Sequence, residues 1–91
     1  MSVIVHPRIM RRHPEISEED VVQAWASSQD MCLRADSKNF PEYVCTGCDA
    51  KGRLLEMVGV MTKEGWLVYH AMTPPSKKTI KEIERARRRS S

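Results

Sequence analysis

Ninety-one residues, 41% of them apolar, suffice for one compact core and no second, so residues 1–91 are expected to form a single domain. No apolar run reaches the roughly 18 residues of a membrane span, and three cysteines are an odd number, which argues against membrane-spanning and disulfide-stapled secreted classes. The net charge of +3 is unevenly placed: seven basic and two acidic residues lie between Lys77 and Ser91, while the rest of the chain is slightly acidic. A basic terminus on a near-neutral body suits a polyanion or an acidic protein partner, or serves only as a solvated tail. The opening Met1-Ser-Val-Ile-Val is cut off at His6-Pro7-Arg8, so no export leader is expected and a reducing cytoplasm is the expected compartment.

Val3-Ile4-Val5 is β-branched and suits a sheet edge, but three residues are too few to assign. Pro7 suits the first turn of a helix, where its missing N–H costs nothing, and Pro14 forces the chain out of helix near His13. The short helix between them turns Ile9 and Met10 inward and leaves Arg8, Arg11 and Arg12 as a basic face flanked by His6 and His13. At Ile16-Ser-Glu-Glu-Asp-Val21 the pattern is a capping box: Ser17 caps the N–H of Asp20, Asp20 reaches back, and Ile16 staples against Val21. A second helix follows with Val21, Val22 and Trp25 on its apolar face, and Trp25 is expected in the core rather than as a stacking platform.

From Met31 the pattern shortens. Met31–Arg34 and Glu42–Thr46 read as strands joined by the polar loop Asp36–Asn39, and Asp49–Gly52 is a turn. Next come two long apolar runs, Leu54–Met61 and Trp66–Met72, with a short break ending in Gly65: a β-hairpin that carries Arg53, Glu56, Tyr69 and His70. Its register decides their chemistry. If Lys63-Glu64-Gly65 is the loop, Thr62 faces Trp66, and Glu56 and His70 share one side of the sheet. If the loop runs from Thr62 to Gly65, Met61 faces Trp66 and the two groups fall on opposite sides. The shared side is preferred, with a structural Glu56–His70 hydrogen bond as the bland alternative to a catalytic one. After Pro74-Pro75 a last helix begins at Ser76, or at Thr79 through a Thr79–Glu82 capping box, and 87–91 should fray as a basic tail.

Arg12-His13-Pro14 with Ile16–Val21 on a helix, then Gly52-Arg-Leu-Leu-Glu56, then Val68-Tyr-His-Ala-Met72 before a basic segment, resembles the BrnT-type branch of the RelE/ParE superfamily, the toxins of type II toxin–antitoxin systems. The resemblance spans residues 6 to 80. It implies an α+β fold, with two N-terminal helices packed on a four-stranded antiparallel sheet and a C-terminal helix. It also implies a small ribonuclease that inhibits translation by cutting RNA, on or off the ribosome. A cognate antitoxin protein would cover the site, in a hetero-oligomer or alongside a homodimer. Where BrnT-like sequences often continue Ala-Arg, this chain runs Ala71-Met-Thr-Pro-Pro75.

Metal-independent RNA cleavage by the ribose 2′-hydroxyl needs a base, cations on the phosphate and an acid for the leaving 5′-oxygen. Glu56 and His70 are the candidates for base and acid, and Arg53, with Arg34 beside it, for the phosphate. Lys77, Lys78, Arg11 and Arg12 are candidates for holding the RNA backbone. No cofactor and no metal are expected. Cys45-Thr-Gly-Cys48 is only half a zinc site, and a zinc-dependent nucleic-acid module is the remotest alternative. A nearer one is a non-catalytic RelE-like module that only docks a protein or nucleic acid.

Overall fold

A computed structural model describes residues 2–34 and 41–90, without the side chain of Ser90; the loop expected over 36–39 lies outside the described residues. The elements in chain order are β1 (Val3–Val5), α1 (Arg8–Arg12), α2 (Glu18–Ala26), β2 (Gln29–Leu33), β3 (Tyr43–Cys48), β4 (Leu54–Thr62), β5 (Gly65–Met72) and α3 (Lys77–Ser90). The α+β class is as expected. The four-stranded antiparallel sheet is not: the sheet has five strands in the order β1-β5-β4-β3-β2, and β1 runs parallel to β5. The short Val3-Ile-Val run uses the outer edge that β5 would otherwise leave unpaired. Its pairing is extended by Trp66 N–H donating to the Ser2 carbonyl at 3.0 Å and His6 N–H donating to the Val68 carbonyl at 2.9 Å.

The sheet alternation sorts β4 into two sets. Leu55 and Met57 face α1 and α2, where they are buried with Ile9, Ile16, Val21, Ala24, Trp25, Cys45, Val68 and Ala71. Glu56 and Val58 face the other side, where α3 packs over β2 and β3 and buries Ile83. Trp25 is in the core at 7% exposure, and its ring lies 5.2 Å from Trp66, which in turn meets Tyr43 edge-on at 5.3 Å. The end of α2 sits almost on the sheet: a Cβ at Gly47 would stand 2.0 Å from the Ala24 carbonyl oxygen, and one at Gly59 2.9 Å from the Trp25 ring.

The helix termini follow local chemistry. The capping box at Ser17 and Asp20 is formed in both directions, at 3.1 and 2.9 Å. Ser76 caps α3, accepting from Thr79 N–H at 3.3 Å, so Thr79 is three residues inside the helix and does not open it. The tail expected to fray from Arg87 is helical through Ser90, because Arg87 Nε donates to Asp30 on β2 at 2.9 Å and holds the last turns against the sheet edge. Among the described residues no helix is long and apolar enough to cross a membrane.

The Gly47 contact gives a direct test of the α2 placement. Gly47→Ala should lower the unfolding free energy by about 2 kcal/mol or more, since the clash is with backbone and α2 must lift. Urea denaturation of the variant with a midpoint equal to wild type would contradict that packing.

Candidate functional site

The hairpin contains both of the registers that its sequence allows. Next to the turn, Thr62 pairs with Gly65, Met61 with Trp66, Val60 with Leu67 and Gly59 with Val68. A bulge follows, and beyond it Val58 pairs with His70, Met57 with Ala71 and Glu56 with Met72. Tyr69 is the extra residue. Had the turn-side pairing continued, Glu56 would have faced Ala71 and His70 would have pointed to the α2 side. The bulge returns it to the side of Glu56, two residues down from Val58 on the same face.

The two side chains meet. His70 Nε2 lies 2.7 Å from Glu56 Oε2, while Glu56 Oε1 accepts from both the N–H and the hydroxyl of Ser76, each at 2.8 Å. Glu56 is buried at 5% exposure, whereas the His70 side chain is about one-third exposed at 34%. Burial alone would push the Glu56 carboxyl up. The hydrogen bonds from His70, from the Ser76 N–H and hydroxyl and from Thr79 outweigh it and hold the group down at about 2. At neutral pH it is therefore a carboxylate with no proton to give and little basicity. What it does well is fix the imidazole: a carboxylate accepts only from N–H, so the neutral His70 ring carries its proton on Nε2 and keeps a lone pair on Nδ1.

Arg53 is not part of this pair. It stands just before β4 on the α2 side, where its Nε donates to Asp49 Oδ2 at 2.8 Å, Nη2 to Asp20 Oδ2 at 2.9 Å and Nη1 to the Glu15 carbonyl at 3.0 Å. Asp49 Oδ1 also accepts the N–H groups of Lys51 and Arg53, both at 2.9 Å. Both carboxyls are held below the usual carboxylate range. For Asp20 the Ser17 N–H is the main cause; for Asp49 burial pushes up but the Arg53 N–H and guanidinium prevail. Each of the three guanidinium nitrogens of Arg53 has a partner, so it ties the turn before β4 to the start of α2.

The other cations divide in the same way. Arg34 makes a two-pronged ion pair with Glu82 of α3, at 3.1 and 3.0 Å, on the far side of the sheet from α1 and α2. Lys77 and Lys78 are exposed at the start of α3, next in sequence to Ser76. By contrast, Arg8, Arg11 and Arg12 form no ion pair among the described residues. Arg8 and Arg12, one helical turn apart, border a small cleft of about 50 Å³ between α1 and β5 whose other polar walls are His13, Tyr69 and His70. Next to it a wider depression of about 450 Å³ is lined by His6, Arg8, Arg11 and Arg12. His70 and Arg12 line one cleft, while Arg53 lies on the α2 side of the sheet and Arg34, on the same face as His70, is committed to Glu82.

The sequence singles out Tyr69 on the hairpin and His13 beside the basic helix without giving either a catalytic role, and it does not place Arg8 or Ser76 at a site. The i, i+4 spacing of Arg8 and Arg12 was available as a signal for Arg8; nothing local foretells that α1 docks beside His70. The thiols stand apart: Cys45 is buried against α2, where burial pushes it up to about 11, and Cys48 is exposed at the end of β3. Among the described residues no three His, Cys, Asp or Glu side chains gather as metal ligands.

No family model, curated protein or solved structure matches this chain.

Two measurements check the charge arrangement. Arg53→Ala leaves two buried carboxylates without their guanidinium and should cost about 3 kcal/mol or more in urea unfolding; a loss under 1 kcal/mol would be that of an ordinary surface ion pair. Glu56 ionises more readily folded than unfolded, so its contribution is complete above about pH 4.5 and disappears as the pH falls toward 2. Glu56→Gln should therefore flatten the wild-type loss of stability across that window, by up to about 3 kcal/mol; parallel stability–pH curves would remove Glu56 as the cause.

Proposed function

We propose that this protein is a small metal-independent ribonuclease of the BrnT/RelE type, the toxin of a type II toxin–antitoxin system that inhibits translation and is neutralised by a partner protein. The toxin part of this reading rests on the resemblance of residues 6 to 80 to that family. The chemical part rests on one observation: His70, whose imidazole is held by the buried Glu56 carboxylate, lines a cleft together with Arg8 and Arg12, which form no ion pair among the described residues.

In this reading the RNA phosphate sits against Arg8 and Arg12, with Arg11, Lys77 and Lys78 along the flanking backbone. His70 Nδ1 takes the proton of the ribose 2′-hydroxyl, whose oxygen then attacks the neighbouring phosphorus. Glu56 acts as a positioning residue that keeps the ring turned and offsets the charge that it gains. Arg53, tied to Asp49, Asp20 and the Glu15 carbonyl, contributes by bracing the strand that carries Glu56.

A second reading, a non-catalytic module of the same fold that only docks a nucleic acid or protein, is favoured by the engagement of Arg34 and Arg53 in ion pairs. Incubating purified protein with single-stranded RNA, alone and in a translating extract, separates the two. Wild type should yield fragments ending in a 2′,3′-cyclic phosphate, and His70→Ala should cut about 100-fold more slowly. Arg8→Ala and Arg12→Ala should each weaken RNA binding and reduce its salt dependence by about one ion. RNA left equally intact by wild type and His70→Ala, on and off the ribosome, rejects the enzyme; salt-sensitive binding that survives without cleavage supports the module.

A further inference from the structure

His13 lines the same cleft as His70 but from a different element. It is the C-terminal cap of α1, fixed by its N–H to the Ile9 carbonyl at 2.8 Å and by the Ile16 N–H donating to its carbonyl at 2.9 Å, with Pro14 stopping the helix behind it. Its Nδ1 faces Glu15 Oε2 at 3.7 Å, and its side chain is one-third exposed. His70, across the cleft on β5, is tied through Nε2 to Glu56. His70 is thus hydrogen-bonded to a carboxylate through one nitrogen, and His13 has one near Nδ1 at ion-pair distance only. Arg8 and Arg12 from α1 and Tyr69 from β5 complete the polar wall around them. The cleft, at about 50 Å³, is small and opens to solvent.

We infer that His13 is the second proton-transfer residue of this cleft, the acid that protonates the leaving 5′-oxygen while His70 acts as base. The inference rests on the ribonuclease reading and deepens it. The bond between the ribose 2′-oxygen and phosphorus forms as the bond between phosphorus and the 5′-oxygen breaks. The 2′-hydroxyl proton passes to His70 Nδ1, and the proton on His13 Nε2 passes to the 5′-oxygen. A 2′,3′-cyclic phosphate and a 5′-hydroxyl result, with no change of oxidation state.

The test compares two substrates that differ in their need for an acid. One is a dinucleoside monophosphate such as uridylyl-adenosine, whose 5′-alkoxide must be protonated; the other is uridine 3′-(4-nitrophenyl phosphate), whose phenolate leaves unaided. His13→Gln should slow the first about 100-fold and the second less than about threefold, and His70→Gln should slow both about 100-fold. The pH–rate profile on the first substrate should be bell-shaped for wild type and lose its alkaline limb in His13→Gln. Equal slowing of both substrates by His13→Gln, or none of either, overturns the role of His13 while leaving the ribonuclease reading standing. A wild-type protein inactive on RNA and on both small substrates overturns the two together.

Discussion

A negative charge placed beneath the surface of a β-sheet has to be satisfied completely or not be there, and Glu56 is satisfied by three separate parts of the chain. The imidazole comes from the neighbouring strand, the Ser76 N–H and hydroxyl from the segment that starts α3, and Thr79 from its first turn. None of these donors could be supplied by β4 alone. The bulge at Tyr69 and the starting point of the last helix are both geometries that this carboxylate requires, and neither follows from hydrophobic patterning.

The remaining charges fall into two populations. Arg53, Arg34 and Arg87 each join distant segments: the turn before β4 to α2, β2 to α3, and the end of α3 to Asp30. They hold elements together and have little freedom to meet a ligand. The guanidinium groups of α1 are on a helix of only five residues that presents them outward with no acidic neighbour between them. Among the described residues, Arg8, Arg11 and Arg12 form no ion pair, and neither do Lys77, Lys81, Arg85 and Arg89 of α3, so unpaired positive charge lies at two places, one of them beside His70.

How much of this was legible depended on how local the cause was. The capping box at Ser17, the core position of Trp25 and the existence of the hairpin follow from spacings of a few residues, and all are present. The fifth strand was not legible, because Val3–Val5 takes its meaning from Trp66–Val68, more than sixty residues away. For the same reason Arg53 and Arg34 read as free cations in the sequence: two of their partners, Asp20 and Glu82, lie far along the chain. The Asp49–Arg53 pair, at i, i+4 across a turn, was visible and was passed over in favour of a phosphate. The hairpin register could not be decided because each end obeys a different rule: packing of Trp66 among Trp25 and Tyr43 at one end, and pairing of Glu56 with His70 at the other.

The bulge also makes the hairpin a question of parity. Between the turn and the Glu56–Met72 pair, one arm is seven residues long and the other eight. Which side of the sheet the imidazole occupies depends on that odd difference, independent of which side chain fills the surplus place. A chain could keep every residue of both arms and still scatter the pair across two faces by continuing the turn-side ladder without the bulge. Related chains are therefore better compared by the number of residues from turn to histidine, and from turn to glutamate, than by the letters between them.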